Sequence, residues 1–389
     1  MTKKCFLLLF FVFAVFSFTY AKTEKVLNLN KLSISEIEKI FEQANQEFKI
    51  KELEALADTM SQLFNGSMLI VRHDEVLLKH NFGQLCLYKD CNLRTCEENA
   101  VTSSTFFELA SMSKQFTAIS ILQLVEKGAL SLQDSLQKFF PELPYRGVTL
   151  HHLLTHTSGL PEYLESYEKY FTGNALVSNQ DVINLLARRR DKVLFSPGRR
   201  FKYTNTNYLL LARIVEIVTG ETFPDYVHEH LLKPAGMTES FYVCETQCFK
   251  DKMVAMGHDR KCNTLSLKGL DGTVGDKGLY SSAEELFLWK KALFDDHKIL
   301  SDSLLQKAIT KQNHLLRNAV SNEDYGYGFR LENRPPHGYL VFHGGLWHGF
   351  QNLFLYRPAD DLTVIFLTNV RNGSHYGKSS VVLHIIDGV

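Results

Sequence analysis

Residues 112–126, MSKQFTAISILQLVE, place apolar side chains on nearly every side of a helix. Such a helix has almost no face to offer water, so it is stable only at the centre of a sizeable domain. A chain of 389 residues with 45% hydrophobic composition can build that core, as one large domain or two moderate ones. Gly128 is placed to close the helix. A second mostly buried helix is predicted over 208–220, YLLLARIVEIVTG, ending at a glycine. A third, over 282–294, opens on Ser282 with Glu285 three residues on, a capping-box pattern. Ahead of these, residues 33–62 show an amphipathic pattern through Ile40, Phe41, Ala44 and Phe48.

The two flanks read differently. SMLIVRHDEVLLKHNFG, residues 67–83, predicts two strands around a turn at His73-Asp74. After about residue 336, GYLVFHGG, FQNLFLYRP and LTVIFLTN are three β-rich runs, followed by a helix-like stretch over 375–387. Strands at both ends with helices between predict an α+β fold. Its antiparallel sheet is drawn from about 22–110 and 300–389, with a mostly helical region over 111–299 inserted. A site is expected where sheet and helical region meet.

The N-terminus reads as an export signal over residues 1–21: MTKK, a 14-residue apolar run, then small residues to Ala21. That run is short for a membrane span, which needs about 20 residues. The expectation is cleavage near Ala21, a single mature domain over 22–389, no stable membrane span, and a periplasmic or extracellular destination. Retention as an anchor is the rival. Outside the signal lie Cys86, Cys91, Cys96, Cys244, Cys248 and Cys262, an even set suited to disulfides in an oxidising compartment. Connectivity is not legible from spacing. Zinc fits poorly, because no CxxC is present. A formal net charge of zero implies no nucleic-acid partner.

Three motifs carry chemistry. In Ser111-Met112-Ser113-Lys114, helical geometry puts Ser111 and Lys114 on one face and Ser113 about 200° away from Ser111. At a helix start the Ser111 hydroxyl meets the positive end of the dipole, and a desolvated lysine can serve as its base. Tyr203 and Asn205 form Y-x-N before the 208–220 helix. A phenol near a lysine can relay protons, and an amide can hold a substrate carbonyl. His343-Gly344-Gly345 closes an edge-like predicted strand, where bare glycines admit close approach to the backbone. Each alone has a bland reading: a capping serine with a snorkelling lysine, a core tyrosine, a tight turn.

S-x-x-K, Y-x-N and H-x-G in this order resemble the penicillin-recognising serine hydrolases, above all the class C β-lactamase-related family of β-lactamases, D-Ala-D-Ala carboxypeptidases, D-aminopeptidases and esterases. VTLHHLLTHTSGLP (148–161), LLKPAGM (231–237), GLYSSAEELFLW (278–289) and GFQNLFLYRPADDLTVIFLTN (349–369) are similar to it too, so the resemblance spans roughly 60–370. It implies that Ser111 is acylated, that Lys114 and Tyr203 share acid/base duty, and that Asn205 binds a substrate amide. It also implies an oxyanion hole from the N–H groups of Ser111 and Leu346, beside Gly345. His343 stands where well-known β-lactamases carry lysine, which replaces a fixed charge by a titratable one and tilts the substrate toward an ester or a D-amino-acid peptide. The partner is then a small-molecule or peptide substrate, cell-wall fragments included, and no metal or organic cofactor is required. The rival from another class is a non-catalytic binding or scaffold protein on the same fold. His151, His152 and His156 lack the glutamate of H-E-x-x-H and read as structural. Asn65-Gly66-Ser67 and Asn372-Gly373-Ser374 match the glycosylation sequon, which matters only in a eukaryotic secretory pathway.

Overall fold

The computed structural model describes residues 34–61, 65–86, 99–171, 175–243, 252–259, 261, 263–267, 269–312, 323–371 and 375–387. The export signal, Cys91, Cys96, Cys244, Cys248, Cys262 and the sequon at Asn372 lie outside them. The described residues divide into two compact units, one from 34–57 with 381–387, the other from 58–380. In the first, Lys49 Nζ donates to the Ile386 carbonyl at 2.7 Å, and Leu53, Ala57, Val382, Leu383 and Ile386 are buried. Its residues come from helices α1 (Ile34–Ser61) and α6 (His375–Asp387). Phe48 is 55% exposed, so it does not belong to a buried stripe.

The larger unit is built on a seven-stranded antiparallel sheet. Its strands are β1 (Gly66–Arg72), β2 (Glu75–Phe82), β6 (Glu323–Tyr325), β7 (Arg330–Asn333), β8 (Tyr339–Trp347), β9 (Phe350–Arg357) and β10 (Leu362–Thr368). They run in the order β2-β1-β10-β9-β8-β7-β6, so strands from both flanks close one sheet. His73 and Asp74 both take positive φ in the β1–β2 turn, as a two-residue hairpin requires. Every residue of β9 and β10 is buried, because this part of the sheet is covered on both faces. A second sheet of three very short strands orders β3 (Phe107–Glu108), β5 (Leu279–Ser281) and β4 (Phe241–Tyr242).

The helical region carries α2 (Lys114–Glu126), α3 (Asn179–Arg189), α4 (Asn205–Thr219) and α5 (Ala283–Lys290). Eleven of the thirteen residues of α2 are buried, and α2 packs against α4. Gly220 closes α4 in the left-handed conformation, and the Ser282 hydroxyl accepts the Glu285 N–H at the start of α5.

Two expectations are corrected. β8 lies between β7 and β9 rather than at an edge, and His343 sits in its middle rather than at its end. The run looked terminal because glycines read as a stop, whereas here they continue the ladder. Asn65 is 8% exposed, and its amide is spent on the Gln84 N–H at 2.6 Å and the Gln84 carbonyl at 2.8 Å. The sequon at Asn65 is therefore closed to a glycan in the folded chain. Cys86 is disulfide-bonded.

Candidate active site

The chain leaves β3 and makes a single 3₁₀ turn, Ala110–Ser113, before α2 begins at Lys114. In such a turn residues three apart eclipse, so Ser111 and Lys114 face the same way. Ala110 holds φ +52 with its side chain fully buried, an uncommon conformation for a residue with a Cβ. The surroundings hold it there. Leu109 N–H donates to the Leu279 carbonyl at 2.8 Å, and Met112 N–H to the Leu109 carbonyl at 3.2 Å. β8 supports the turn from the other side. A Cβ on Gly345 would stand 2.1 Å from the Leu109 carbonyl oxygen. The bareness of that glycine thus serves a contact with the chain's own backbone. Ser113 is fully buried and its Oγ accepts from Leu279 N–H at 3.4 Å, while Ser111 stays partly exposed.

Lys114 is fully buried. Its Nζ lies 3.0 Å from Ser111 Oγ, 2.7 Å from Asn205 Oδ1 and 2.8 Å from the Asp276 carbonyl oxygen. The Tyr203 ring centroid is 5.0 Å away and that of Tyr208 5.7 Å. Burial pulls the ammonium down to about 8, against the nearby charges of Asp276 and Glu162, and Arg330 pushes the same way as burial. Near neutral pH a useful fraction of this amine is therefore able to accept a proton.

Desolvation raises the Tyr203 phenol well above the usual range, with the Ser111 side chain and Arg330 acting against it. It therefore remains a proton carrier rather than a phenolate. Tyr203 is fixed from below by His156, whose ring lies 4.3 Å from it at 32°. The His156 carbonyl accepts Lys202 N–H at 2.9 Å and its Nδ1 accepts Thr204 N–H at 3.2 Å, so both neighbours of Tyr203 are tethered. From His156 a chain of polar contacts runs to β8. His156 Nε2 is 3.3 Å from Tyr325 Oη, Tyr325 Oη is 3.1 Å from His343 Nε2, and His343 Nδ1–H donates to the Gly344 carbonyl at 2.7 Å. His343 is 1% exposed, and burial holds both imidazoles well below their usual protonation range. His343 thus faces inward as a neutral imidazole, and the titratable charge expected there is not offered to a ligand.

The nearby positive charge comes from a residue that the sequence did not single out. The guanidinium of Arg330, on β7, lies 5.4 Å from the Tyr203 ring and depresses protonation of Lys114, His156 and His343. Glu162 and Asp276 were missed as well. Glu162 follows directly on the stretch 148–161, and Asp276 reaches Lys114 through its main-chain carbonyl as well as its charge, neither of which marks it in sequence. Gly345 and Leu346 lie on β8, with Leu346 48% exposed. His151 bonds Tyr327 Oη at 2.9 Å, and His152 Nδ1 accepts Thr149 N–H at 3.2 Å in a helix cap. Among the described residues no three His, Cys, Asp or Glu side chains are grouped to hold a metal ion.

This arrangement, on an antiparallel sheet with inserted helices, is that of a serine hydrolase of the β-lactamase fold. The family model "Beta-lactamase" matches residues 50–381, and the chain belongs to that family. A penicillin-binding protein of Bacillus subtilis is 31% identical over 357 residues, covering 87% of this chain and 76% of that protein. The crystal structure of a penicillin-binding protein from Bacillus halodurans superposes with a TM-score of 0.74 at 27% identity, over 86% of this chain and 98% of that one. The octameric penicillin-binding protein homologue from Pyrococcus abyssi gives a TM-score of 0.73 at 28% identity, over 87% and 77%.

Proposed function

We propose that the protein is an exported serine hydrolase that forms an acyl-enzyme on Ser111. The observation that carries this reading is the 3.0 Å separation of Lys114 Nζ from Ser111 Oγ inside a buried, polar-lined site. Neutral Lys114 takes the hydroxyl proton as Oγ attacks a carbonyl carbon. The N–H groups of Ser111 and Leu346 receive the oxyanion. Lys114 and Tyr203 return the proton to the departing nitrogen or oxygen. Water then attacks the acyl-enzyme with the same groups acting in reverse, which frees the acid and restores Ser111. One Asn205 Nδ2 hydrogen is directed at Glu162, leaving its second to hold a substrate carbonyl.

On this reading the substrate is an ester or an amide with an apolar acyl side, which suits exposed Leu346 and half-buried Trp347. A D-amino-acid peptide fits better than a β-lactam at His343, which is neutral and turned inward. Export over residues 1–21, with residues 22–389 as the mature domain, is part of the proposal and is supported by the disulfide at Cys86.

The test is a panel of nitrocefin, a p-nitrophenyl ester and a D-Ala-D-Ala peptide, run with the wild type and Ser111→Ala. Turnover of one substrate that vanishes in Ser111→Ala, with circular dichroism unchanged, supports the proposal. Turnover retained in that variant overturns it. No turnover, together with no labelling by a fluorophosphonate or a penicillin, points to the binding-protein alternative.

A further inference from the structure

Glu162 is 9% exposed, and among the described residues the hydrogen bonds to its carboxylate all come from N–H groups. Oε1 accepts Leu164 N–H at 3.0 Å, capping the short helix Tyr163–Tyr167. Oε2 accepts both Asn205 N–H at 2.6 Å and Asn205 Nδ2–H at 3.1 Å. Thr204, the residue before α4, makes no side-chain cap, so Glu162 supplies the negative charge that this helix start favours. Thr206 locks the two helix starts together: its Oγ1 accepts Tyr163 N–H at 3.0 Å and donates to the Pro161 carbonyl at 2.6 Å.

This geometry determines which way round the Asn205 amide sits. An ionised carboxylate can only accept, so Nδ2 must face Glu162, and Oδ1 is left facing Lys114. The Asp276 carbonyl is the second obligate acceptor on Lys114. As an ammonium, Lys114 has three hydrogens for its three contacts. As a neutral amine it has two, and both are claimed by Asn205 Oδ1 and the Asp276 carbonyl. The lone pair is then left pointing at Ser111 Oγ.

We propose that Glu162 is a positioning residue that orients the Asn205 amide and thereby aims the lone pair of Lys114 at the Ser111 hydroxyl. The inference rests on the acyl-enzyme reading of Ser111 and adds to it the group that makes Lys114 a base rather than a donor. The charged and titratable groups facing Lys114 are Glu162, Asp276, Arg330, Glu108, His156 and His343, with Tyr203 and Tyr208 beside it. Those facing Glu162 are Lys114, Asp276, Tyr163 and Tyr203. Because the Glu162 charge favours the ammonium, neutralising it moves the Lys114 titration to lower pH.

The readout is the second-order rate of labelling by a fluorophosphonate between pH 6 and 10, on the full chain. In that step Ser111 Oγ bonds to phosphorus, fluoride leaves, and the hydroxyl proton passes to Lys114. Glu162→Gln keeps the shape and removes the charge. Its plateau rate should fall by roughly ten- to a hundred-fold, part of the roughly 10²–10⁴-fold a positioned base contributes. Its acid limb should move to lower pH, and Glu162→Gln/Asn205→Ala should be no slower than Asn205→Ala alone. An unchanged plateau, an unmoved limb, or additive losses overturns the inference and leaves the acyl-enzyme reading standing. If Glu162→Gln does not fold, Glu162→Ser keeps a helix cap while withdrawing from Asn205, and its result is read the same way. Labelling of Ser111→Ala, or none of the wild type, overturns the acyl-enzyme reading and the inference with it.

Discussion

Ser111 and Ser113 lie two positions apart and differ in everything that matters chemically. Ser113 gives its oxygen to a backbone N–H in the core, whereas Ser111 meets Lys114 and Tyr203 at a partly open surface. Since Lys114 must be neutral to act, kcat/KM for an ester should rise about tenfold per pH unit below an acid limb near 8, the position burial gives Lys114. Arg330 lowers that position. Arg330→Gln should therefore move the limb upward. A limb that stays in place would remove Arg330 from the site's electrostatics. Lys114 was legible from its spacing to Ser111. Arg330 was not, because it approaches Tyr203 only through sheet pairing.

The elements show how two glycines, alike in sequence, carry different burdens. At Gly345 a methyl group would meet the Leu109 carbonyl at 2.1 Å, against the turn that holds Ser111. Gly345→Ala should cost about 1–3 kcal/mol, the usual penalty of overpacking, and should also impair labelling of Ser111 by displacing the turn. Gly220 sits at φ +77, and a methyl group there would meet nothing within 4 Å. Gly220→Ala should cost about 1 kcal/mol from left-handed strain and leave labelling unchanged. Urea unfolding read beside labelling rates separates the two. Long periodic elements such as α2 and α4 were visible in the sequence. β3, β4 and β5 were not, since strands of two or three residues carry no period, and neighbours distant in the chain create them.

For the molecule as a whole, the buried histidines couple stability to pH. His156 and His343 are held below the ordinary histidine range in the folded state. As pH falls below about 6.5 the unfolded chain takes up protons that the native chain refuses, so each histidine withdraws stability at about 1.4 kcal/mol per pH unit. Glu108 works in the opposite sense. Burial raises it to about 8, so its contribution is fully present below about 4.5 and is lost as pH rises toward 8. The net slope mixes the two signs, and the comparison of variants isolates them. His343→Gln should flatten the loss of stability between pH 6.5 and 5 relative to wild type, measured by urea midpoints. An unchanged slope would show that His343 does not titrate differently on folding.

The local grammar of the chain dictated much of the architecture. A helix with no polar face demanded a large domain, alternating runs at both flanks demanded a sheet shared between them, and Ser111, Lys114, Tyr203, Asn205 and His343 stood in short motifs whose order resembles a known family. These are properties of neighbours along the chain, where periodicity and turn chemistry act. What the chain could not reveal was set by contacts between segments far apart. Asp276 meets Lys114 across 162 positions and Glu162 meets Asn205 across 43. Tyr325 meets His343 across 18 positions, and Arg330 reaches the Tyr203 ring from β7. Burial and hydrogen-bond direction decide protonation, and both exist only once the tertiary structure has closed around the site.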